Sequence, residues 1–396
     1  MKKLFLISLL IVLIGGLFLS GCAQPAPAPT PAPAPAPKPA PVPAPKPAPA
    51  PAPTPAPVPA PAVKPVELRF AYHVPPMSGA ARNVLIPWAE KVEKATNGRV
   101  KIVHYDSQSL CKMKEALEAT KTGRVDITWS TFGAMYAGRF PLTSVTSLPL
   151  LNIPSGKVEG RTLTLGGING HILQRLYETF PEIQAEWKDW KVLFLWGSPV
   201  SIFTAPKPVR TLEDFQGLKL KAFAGATTEM VENLGAAPVM IGTPAIYSAL
   251  QKGVLDGCMQ SYPAVWTNKF HEILRYRTTT EITISQMAML MNKEKWNSLD
   301  PDIQEAIMSV SGMHGAEFAG ETEWGLAAHK KAIAKINETD YKIEEVVLEP
   351  VELERWKETA AKPLYDKWVA DLEAKGLPGQ KVLDEARRIM EEVQAN

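Results

Sequence analysis

The chain has 396 residues, of which 43 are basic and 41 acidic, and its formal net charge is +2. Five lysines and no acidic residue precede Glu67, so the part from Glu67 onward carries a formal charge of −3. This charge excludes a protein that binds nucleic acid through a broad basic surface, and the length is sufficient for two lobes with separate cores.

The first 22 residues are typical of an export signal. Lys2 and Lys3 precede an apolar run from Leu4 to Phe18, which is shorter than the roughly 20 apolar residues of a membrane span. The run ends at Leu19-Ser20-Gly21-Cys22. This ending resembles the bacterial lipobox, which implies lipidation of Cys22 and an anchor on the periplasmic or cell-surface face of a membrane. An uncleaved anchor helix and a plain secretory signal are the alternatives.

Residues 23–66 consist almost entirely of proline and alanine. Such a composition cannot bury a core and favours an extended polyproline II conformation. We therefore predict a disordered stalk, on the order of 100 Å long, between the signal and the folded part.

Strands and helices alternate in the first part of the folded region. Period-two patterns predict strands at 68–72, 100–105 and 125–130, and the helices between them end at Asn97-Gly98 and Gly123. This order predicts an α/β fold with a largely parallel sheet and helices on both of its faces.

A loop-rich stretch follows, in which Gly166 to Gly170 are predicted to form a flexible loop. The alternation then restarts, with predicted strands at 191–196, 218–222 and 254–260 and with helices that begin at Thr227 and at Thr243-Pro244. Asp300-Pro301 begins a predicted helix that continues to about residue 337 and is long enough to brace two lobes. Two more helices are predicted at 351–374 and 380–394.

The sequence contains no recognisable catalytic or metal-binding signature. Its six histidines have no metal-ligand spacing, and it has no Gly-x-Ser-x-Gly, Walker or Gly-x-Gly-x-x-Gly motif. We predict no catalytic residue, metal or cofactor. Cys111 and Cys258 lie in different halves of the chain, and we interpret them as buried free thiols rather than as a disulfide.

Several ordered segments resemble the TRAP-transporter solute-binding proteins of the dicarboxylate-binding type. They are Thr96-Asn97-Gly98-Arg99-Val100, Gly123-Arg124-Val125-Asp126-Ile127, Leu148-Pro149, the run from Lys207 to Lys221, Leu234 to Val239, and Tyr247 to Gly257. The resemblance implies a two-lobed fold of the periplasmic-binding-protein type (type II-like), with hinge strands and a long bracing helix. We place lobe 1 at 67–198 and 286–325, and lobe 2 at 199–285 and 326–396.

The resemblance also implies a set of ligand contacts in lobe 2. Lys221 stands where the family has an arginine that forks onto a ligand carboxylate, and an ammonium supplies the charge without the planar fork. Arg82 is an alternative anchor, and a ligand without a carboxylate is another alternative. Thr243 and Gln260 match family positions that line the pocket.

The fold alone points to further binding residues, because pockets in such sheets form at the carboxyl ends of strands. These candidates are His73, Thr131, Phe132, Ser198 and Tyr262. Trp129, Trp196 and Trp266 lie near strand ends, where an aromatic side chain belongs either to the core or to a pocket that holds an aromatic or bulky acid.

These observations predict an extracytoplasmic receptor that is not an enzyme. It captures a small organic acid by hinge closure and delivers it to the membrane subunits of a TRAP permease. A binding lipoprotein of an ABC importer or sensor, and a lipoprotein hydrolase on an α/β scaffold, are the alternatives. Genes for a small and a large membrane subunit beside this one would favour the TRAP assignment, whereas turnover of the solute would favour the hydrolase.

Overall fold

The computed structural model describes residues 64–136, 138–151, 155–223, 225–323 and 326–395. The predicted signal sequence, its lipidation site Cys22 and most of the predicted stalk lie outside these residues. The first strand already begins at Val66, the last residue assigned to the stalk.

The strands of the described chain include two that are much longer than the others. They are β1 (Val66–Ala71), β2 (Val100–Tyr105), β3 (Ile127–Ser130), β4 (Ser155–Val158), β5 (Arg161–Thr164), β6 (Trp190–Thr204), β7 (Lys219–Lys221), β8 (Ala237–Val239), β9 (Gly257–Gln260), β10 (Tyr276–Asn292) and β11 (Glu344–Val346).

The helices fill the connections between strands and form the C-terminal part of the chain. They are α1 (Ile86–Ala95), α2 (Ala116–Lys121), α3 (Phe132–Met135), α4 (Leu165–Thr179), α5 (Pro181–Glu186), α6 (Ala226–Asn233), α7 (Thr243–Gln251), α8 (Tyr262–Thr267), α9 (Lys293–Asn297), α10 (Pro301–Ser309), α11 (Gly312–Glu323), α12 (Leu326–Asn337), α13 (Pro350–Trp356), α14 (Lys362–Glu373) and α15 (Gly379–Ala395). π-Helical turns precede α1 at Ala81–Leu85 and α14 at Lys357–Ala361.

Two long antiparallel strands cross from one half of the main sheet to the other. The strand order is β2-β1-β3-β10-β6-β9-β7-β8, with β11 beside β10. β1 runs parallel to β2 and β3, and β7 runs parallel to β8 and β9, so each half has the predicted parallel core. β6 and β10 pair antiparallel to each other over almost their whole length. The predicted strand at 191–196 is therefore only the first part of β6.

Side-chain alternation along β6 separates four hydrophobic cores. Leu195 and Trp196 belong to the cores on the two faces of the first half of the sheet. Ile202 and Phe203 belong to the cores on the two faces of the second half. Each half therefore has helices packed on both faces, which gives two lobes that share β6 and β10.

The predicted flexible loop at Gly166 to Gly170 is wrong, because these residues lie inside helix α4. A Cβ atom at Gly170 would lie 2.4 Å from the carbonyl oxygen of Ala316, and one at Gly320 would lie 2.1 Å from that of Gly166. The glycines therefore allow α4 and α11 to approach each other closely. This contact depends on a helix about 150 residues away, which a local pattern does not show.

The bracing helix predicted from Pro301 to about 337 is interrupted near its start, since α10 ends at Ser309 and α11 begins at Gly312. Residues 324–325, between α11 and α12, lie outside the described residues. Gly312 takes a left-handed conformation with φ of 53°, which separates α10 from α11. α11 packs in lobe 1 through Ala316, whereas α12 packs in lobe 2 through Ala332 and Ile336. The segment thus still reaches from one lobe to the other.

The C-terminal helix departs from the predicted lobe boundary. Val382, Leu383, Ala386 and Ile389 of α15 are buried in a lobe 1 core together with residues of α4. The two predicted C-terminal helices are present, but the second packs on lobe 1 rather than on lobe 2.

Two smaller features concern cysteines and membrane spans. Cys111 and Cys258 are free thiols, as predicted, although Cys111 is only half-buried. In the described part of the chain, every helix is too short or too polar to cross a membrane.

Candidate ligand-binding site

The parallel strands of the two lobes end at the junction between them. β3 pairs antiparallel with the second half of β10, and β9 pairs antiparallel with the second half of β6. Since β6 and β10 cross between the lobes in opposite directions, β1 and β3 end toward lobe 2, and β7 and β9 end toward lobe 1. Residues that follow these strands therefore meet at the interlobar junction, where sheets of this kind bind ligands.

Lys221 is a buried cation at the carboxyl end of β7. Lys221 is 5 % exposed, and its Nζ atom lies 3.3 Å from the centre of the Phe223 ring. Within the described residues, no oxygen accepts a hydrogen bond from this ammonium and no carboxylate pairs with it. Burial disfavours the charged form and lowers the pKa of Lys221 to about 8.

The strand beside Lys221 supplies neutral polar groups. Cys258 of β9 pairs with Lys221 in the sheet, and burial raises the pKa of its thiol to about 12, so the thiol is neutral at physiological pH. Gln260, at the end of β9, is 7 % exposed. Its side-chain amide makes no hydrogen bond within the described part of the chain, so it is available to a ligand.

A second buried cation, Arg277 of β10, is fully engaged by protein groups. Its guanidinium donates hydrogen bonds to Ser201 Oγ (3.0 Å), Glu281 (2.6 Å) and Glu345 (2.8 Å). The Ser201 hydroxyl also donates to Glu281 at 2.6 Å. Burial raises the pKa of Glu281, and the nearby Arg277 opposes that rise.

Tyr262 belongs to the same network. It is 2 % exposed, and its hydroxyl donates to the Glu345 carboxylate. Burial, together with this hydrogen bond, raises the pKa of Tyr262. We define Ser201, Tyr262, Arg277, Glu281 and Glu345 as the hinge network, because Arg277 and Glu281 flank an irregular region of the β6–β10 pairing.

On the lobe 1 side, His73 follows β1 and stacks on Trp129 of β3. The ring centres are 4.5 Å apart and the planes are inclined by 11°. Burial lowers the pKa of His73 to about 4, so the imidazole is neutral at physiological pH. The buried indole N–H of Trp129 has no hydrogen-bond acceptor among the described residues.

The other predicted residues are placed differently. Thr131 is half-buried just before α3, Ser198 is buried in the middle of β6, and Thr243 is exposed at the first residue of α7. Phe132 packs edge-on against Phe140 and Trp187 in a lobe 1 core. The remaining candidates are the core residue Trp196, the lobe 2 residue Trp266, which stacks on His271, and the exposed Arg82.

The sequence patterns did not identify a small cavity that lies between the lobes. It has a volume of about 40 Å³ and is lined by Gly133 and Ser147 of lobe 1, by Phe223 and Thr227 of lobe 2, and by Gln286 of the crossing strand β10, among others. Phe223 is two residues beyond Lys221, and this spacing was the only sequence signal for it. Gln286 left none, because β10 was not predicted.

Comparisons with known proteins show that this chain is similar to bacterial solute-binding proteins. The model of the family described as "Bacterial extracellular solute-binding protein, family 7" matches residues 70–371. The C4-dicarboxylate-binding periplasmic protein DctP of Rhodobacter capsulatus is 28 % identical over 281 residues, which are 68 % of this chain and 79 % of that protein.

Two solved structures are similar over most of the chain. A TRAP solute-binding protein from Rhodoferax ferrireducens T118, in complex with copurified benzoate, is 26 % identical with a TM-score of 0.72 and covers 83 % of this chain and 98 % of its own. A TRAP periplasmic solute-binding protein from Desulfovibrio salexigens is 30 % identical with a TM-score of 0.72 and covers 82 % of this chain and 95 % of its own.

Proposed function

Because this chain belongs to the bacterial extracellular solute-binding proteins of family 7, and is of the TRAP type, we propose that it captures a small organic acid through Lys221. In this proposal the carboxylate of the acid pairs with the buried ammonium between the lobes. Hinge closure, favoured by ligand contacts to both lobes, then presents the complex to the permease.

The observation that carries the proposal is the absence of a protein partner for Lys221 within the described chain. A buried cation without a counter-charge is costly, and that cost falls when a carboxylate from outside the protein fills the position. The sequence resemblance supports the same location, because it implies that Lys221 stands where the family has a carboxylate-binding arginine. The Gln260 amide on the neighbouring strand adds an uncharged donor for the same carboxylate.

Aromatic groups around the junction favour an acid with a ring. Phe223 lies beside Lys221, and the His73–Trp129 stack lies on the lobe 1 side. The similar protein from Rhodoferax ferrireducens carries benzoate. We therefore propose an aromatic carboxylate, with C4-dicarboxylates as the next class.

The proposal is tested by measuring the melting temperature of the protein with benzoate, mandelate, succinate, glucuronate and neutral sugars. Ligands that bind only the native state raise the melting temperature with the logarithm of their concentration. We expect stabilisation by at least one carboxylate and not by the sugars. Calorimetric titration of that acid should show at least about thirtyfold weaker binding to Lys221→Met, because a charged partner inside the complex is lost.

Lys219→Met is the matched control. Lys219 lies on the same strand, but its side chain is 44 % exposed and its ammonium donates to the Gly253 carbonyl. Its replacement should change affinity by less than about twofold. Binding of neutral sugars alone, or equal loss of affinity in both variants, would remove Lys221 from the proposal.

The family is one of receptors, and we propose that this member releases its acid unchanged. Recovery of intact ligand after prolonged incubation with the protein would agree with this, whereas a chemically altered product would contradict it.

We also propose that Cys22 carries the lipid anchor of the receptor. The support is the signal pattern that ends at Leu19-Ser20-Gly21-Cys22. Metabolic labelling with a radioactive fatty acid should mark the wild-type protein, and Cys22→Ser should remain unlabelled. A labelled Cys22→Ser variant would exclude this site.

A further inference from the structure

One aromatic ring lies directly against the ammonium of Lys221. The Nζ atom is 3.3 Å from the centre of the Phe223 ring, and Lys221 is buried whereas Phe223 is half-buried. A cation over the face of a ring is attracted by the negative charge of that face. A carboxylate that pairs with this ammonium needs contact with Nζ, and the ring already occupies part of that contact surface.

The ring is a weaker partner for the ammonium than a carboxylate would be. Burial lowers the pKa of Lys221 to about 8 although the ring is in contact, so the ring offsets only part of the cost of burying the charge. A carboxylate carries a full negative charge and accepts hydrogen bonds from the ammonium. An acid that reaches Nζ can therefore take the place of the ring.

Phe223 also lies at the boundary between the lobes. It lines the small interlobar cavity together with Gly133 and Ser147 of lobe 1, whereas Lys221 is not among the lining residues. Phe223 therefore contacts both the ammonium and the space between the lobes. The less exposed Lys221 lies behind it.

The structure holds the backbone of Phe223 more firmly than its side chain. The hydroxyl groups of Thr227 and Thr228 donate to the Phe223 carbonyl at 2.8 and 2.7 Å. The phenyl group cannot form such bonds and packs only at the edge of a lobe 2 core, where it is partly buried. Rotation of the side chain can thus uncover Nζ while the backbone stays in place.

We infer that the Phe223 side chain is a displaceable cover of Lys221, which competes with the ligand carboxylate for the ammonium. This inference rests on the proposed function. Only the fraction of molecules with the ring turned away can bind the acid, and the usual strength of a cation–π contact reduces the apparent affinity by about three- to thirtyfold. An acid with its own ring can pack against the displaced Phe223 and recover part of this loss. The cover therefore favours aromatic over aliphatic acids.

The first test measures access to Lys221 in the ligand-free protein. Acetylation with acetic anhydride at about pH 8, where half of the Lys221 side chains are uncharged, would be followed for each lysine by mass spectrometry. Lys221 should react more slowly than Lys219, whose side chain is 44 % exposed. Phe223→Ala should accelerate acetylation of Lys221 by about threefold or more. The rate at Lys219, on the same strand, should not change, which excludes local unfolding as the cause.

Two further variants control this result. Phe318→Ala removes another half-buried ring, which lies 3.1 Å from Lys91 Nζ in lobe 1, and it should leave the acetylation of Lys221 unchanged. Phe223→Leu keeps an apolar side chain without the charge distribution of a ring, so it should accelerate the reaction less than Phe223→Ala. An acetylation rate of Lys221 that is the same in wild type and Phe223→Ala would overturn the inference.

The second test measures affinity by calorimetric titration with succinate and benzoate. In Phe223→Ala, succinate should bind about three- to thirtyfold more tightly than in wild type. Benzoate should gain less, because it loses the contact with the displaced ring. Weaker binding of both acids to Phe223→Ala would overturn the inference while the carboxylate receptor stands. Failure of every carboxylate to bind wild type or variant would overturn the proposed function, and the competition with it, whatever the acetylation rates are.

Discussion

Lobe 2 contains two buried cations whose surroundings differ sharply. Arg277 donates to a serine and two carboxylates, whereas the Lys221 ammonium lies over the ring of Phe223 and has no carboxylate or hydrogen-bond acceptor among the described residues. Arg277 therefore stabilises the protein itself at the irregular part of the crossing strands. Lys221 has no such partner among the described residues, and this difference is the reason for proposing Lys221, rather than Arg277, as the group that binds the ligand.

The largest expected loss of stability follows replacement of Arg277, the buried cation that has protein partners. Arg277→Met removes the guanidinium that pairs with the buried Glu281 carboxylate, so we expect the free energy of unfolding to fall by about 3–5 kcal/mol. Denaturant titration measures this change. Arg210→Met is the control, because Arg210 pairs with Glu344 at the surface, where both side chains are more than half exposed, and its loss should cost less than about 1 kcal/mol. Equal losses of unfolding free energy in the two variants would contradict a larger contribution of the hinge network than of a surface ion pair.

Replacement of Lys221 should instead increase the stability of the ligand-free protein. The pKa of Lys221 lies below the ordinary value of 10.5, at about 8, so the folded state disfavours the proton that the unfolded state binds. Without ligand, the penalty is fully present below pH 8 and decreases as the pH rises toward 10.5. Lys221→Met should therefore stabilise the ligand-free protein by up to about 3 kcal/mol near pH 7.

The measurement is the difference in unfolding free energy between wild type and Lys221→Met at several pH values. That difference should shrink between about pH 8 and pH 10. A destabilised variant, or a difference independent of pH, would mean that the ammonium has a partner in the folded protein.

A smaller effect is expected at Tyr262, which the sequence predicted as a ligand contact and the structure places in the hinge network. Tyr262→Phe removes one hydrogen bond to Glu345, which keeps its pair with Arg277. We expect a loss of about 1 kcal/mol in unfolding free energy and no change in the affinity for organic acids. A tenfold loss of affinity with unchanged stability would return Tyr262 to the ligand site.

Local patterns predicted the parallel parts of both lobes because their signals lie within a few residues. Thr211 and Asp214 form a capping box, and Gly123 and Gly253 end their helices with positive φ. Lys221 and Gln260 were predicted as ligand contacts because they lie at or near the ends of predicted strands and match a family pattern, and this role stays a prediction. The structure places both at the end of lobe 2 strands that face lobe 1.

The features of the fold and site that the sequence did not predict depend on contacts between residues that are distant in sequence. The glycines of α4 were misinterpreted because their reason is the approach of α11. Arg277 and Ser201 are 76 residues apart. The side-chain amide of Gln286 donates to the carbonyl of Thr143, which is 143 residues away. Neither the hinge network nor this hydrogen bond therefore has a local signature in the sequence. Only the paired strands β6 and β10 bring these groups together.

The affinity of the receptor for an organic acid as a function of pH tests the central claim most directly. Benzoate, or whichever acid of the panel binds most tightly, would be titrated calorimetrically into wild type and into Lys221→Arg from about pH 6 to pH 9.5. The acid is ionised throughout, and its carboxylate should raise the pKa of Lys221 above the value of about 8 in the free protein. Binding then takes up a proton above pH 8.

We predict a dissociation constant for wild type that is constant below about pH 7.5 and rises toward tenfold per pH unit above pH 8. Lys221→Arg, whose guanidinium keeps its charge, should bind without this rise. Affinity for wild type that does not change with pH, or the same rise in Lys221→Arg, would contradict recognition of the carboxylate by Lys221.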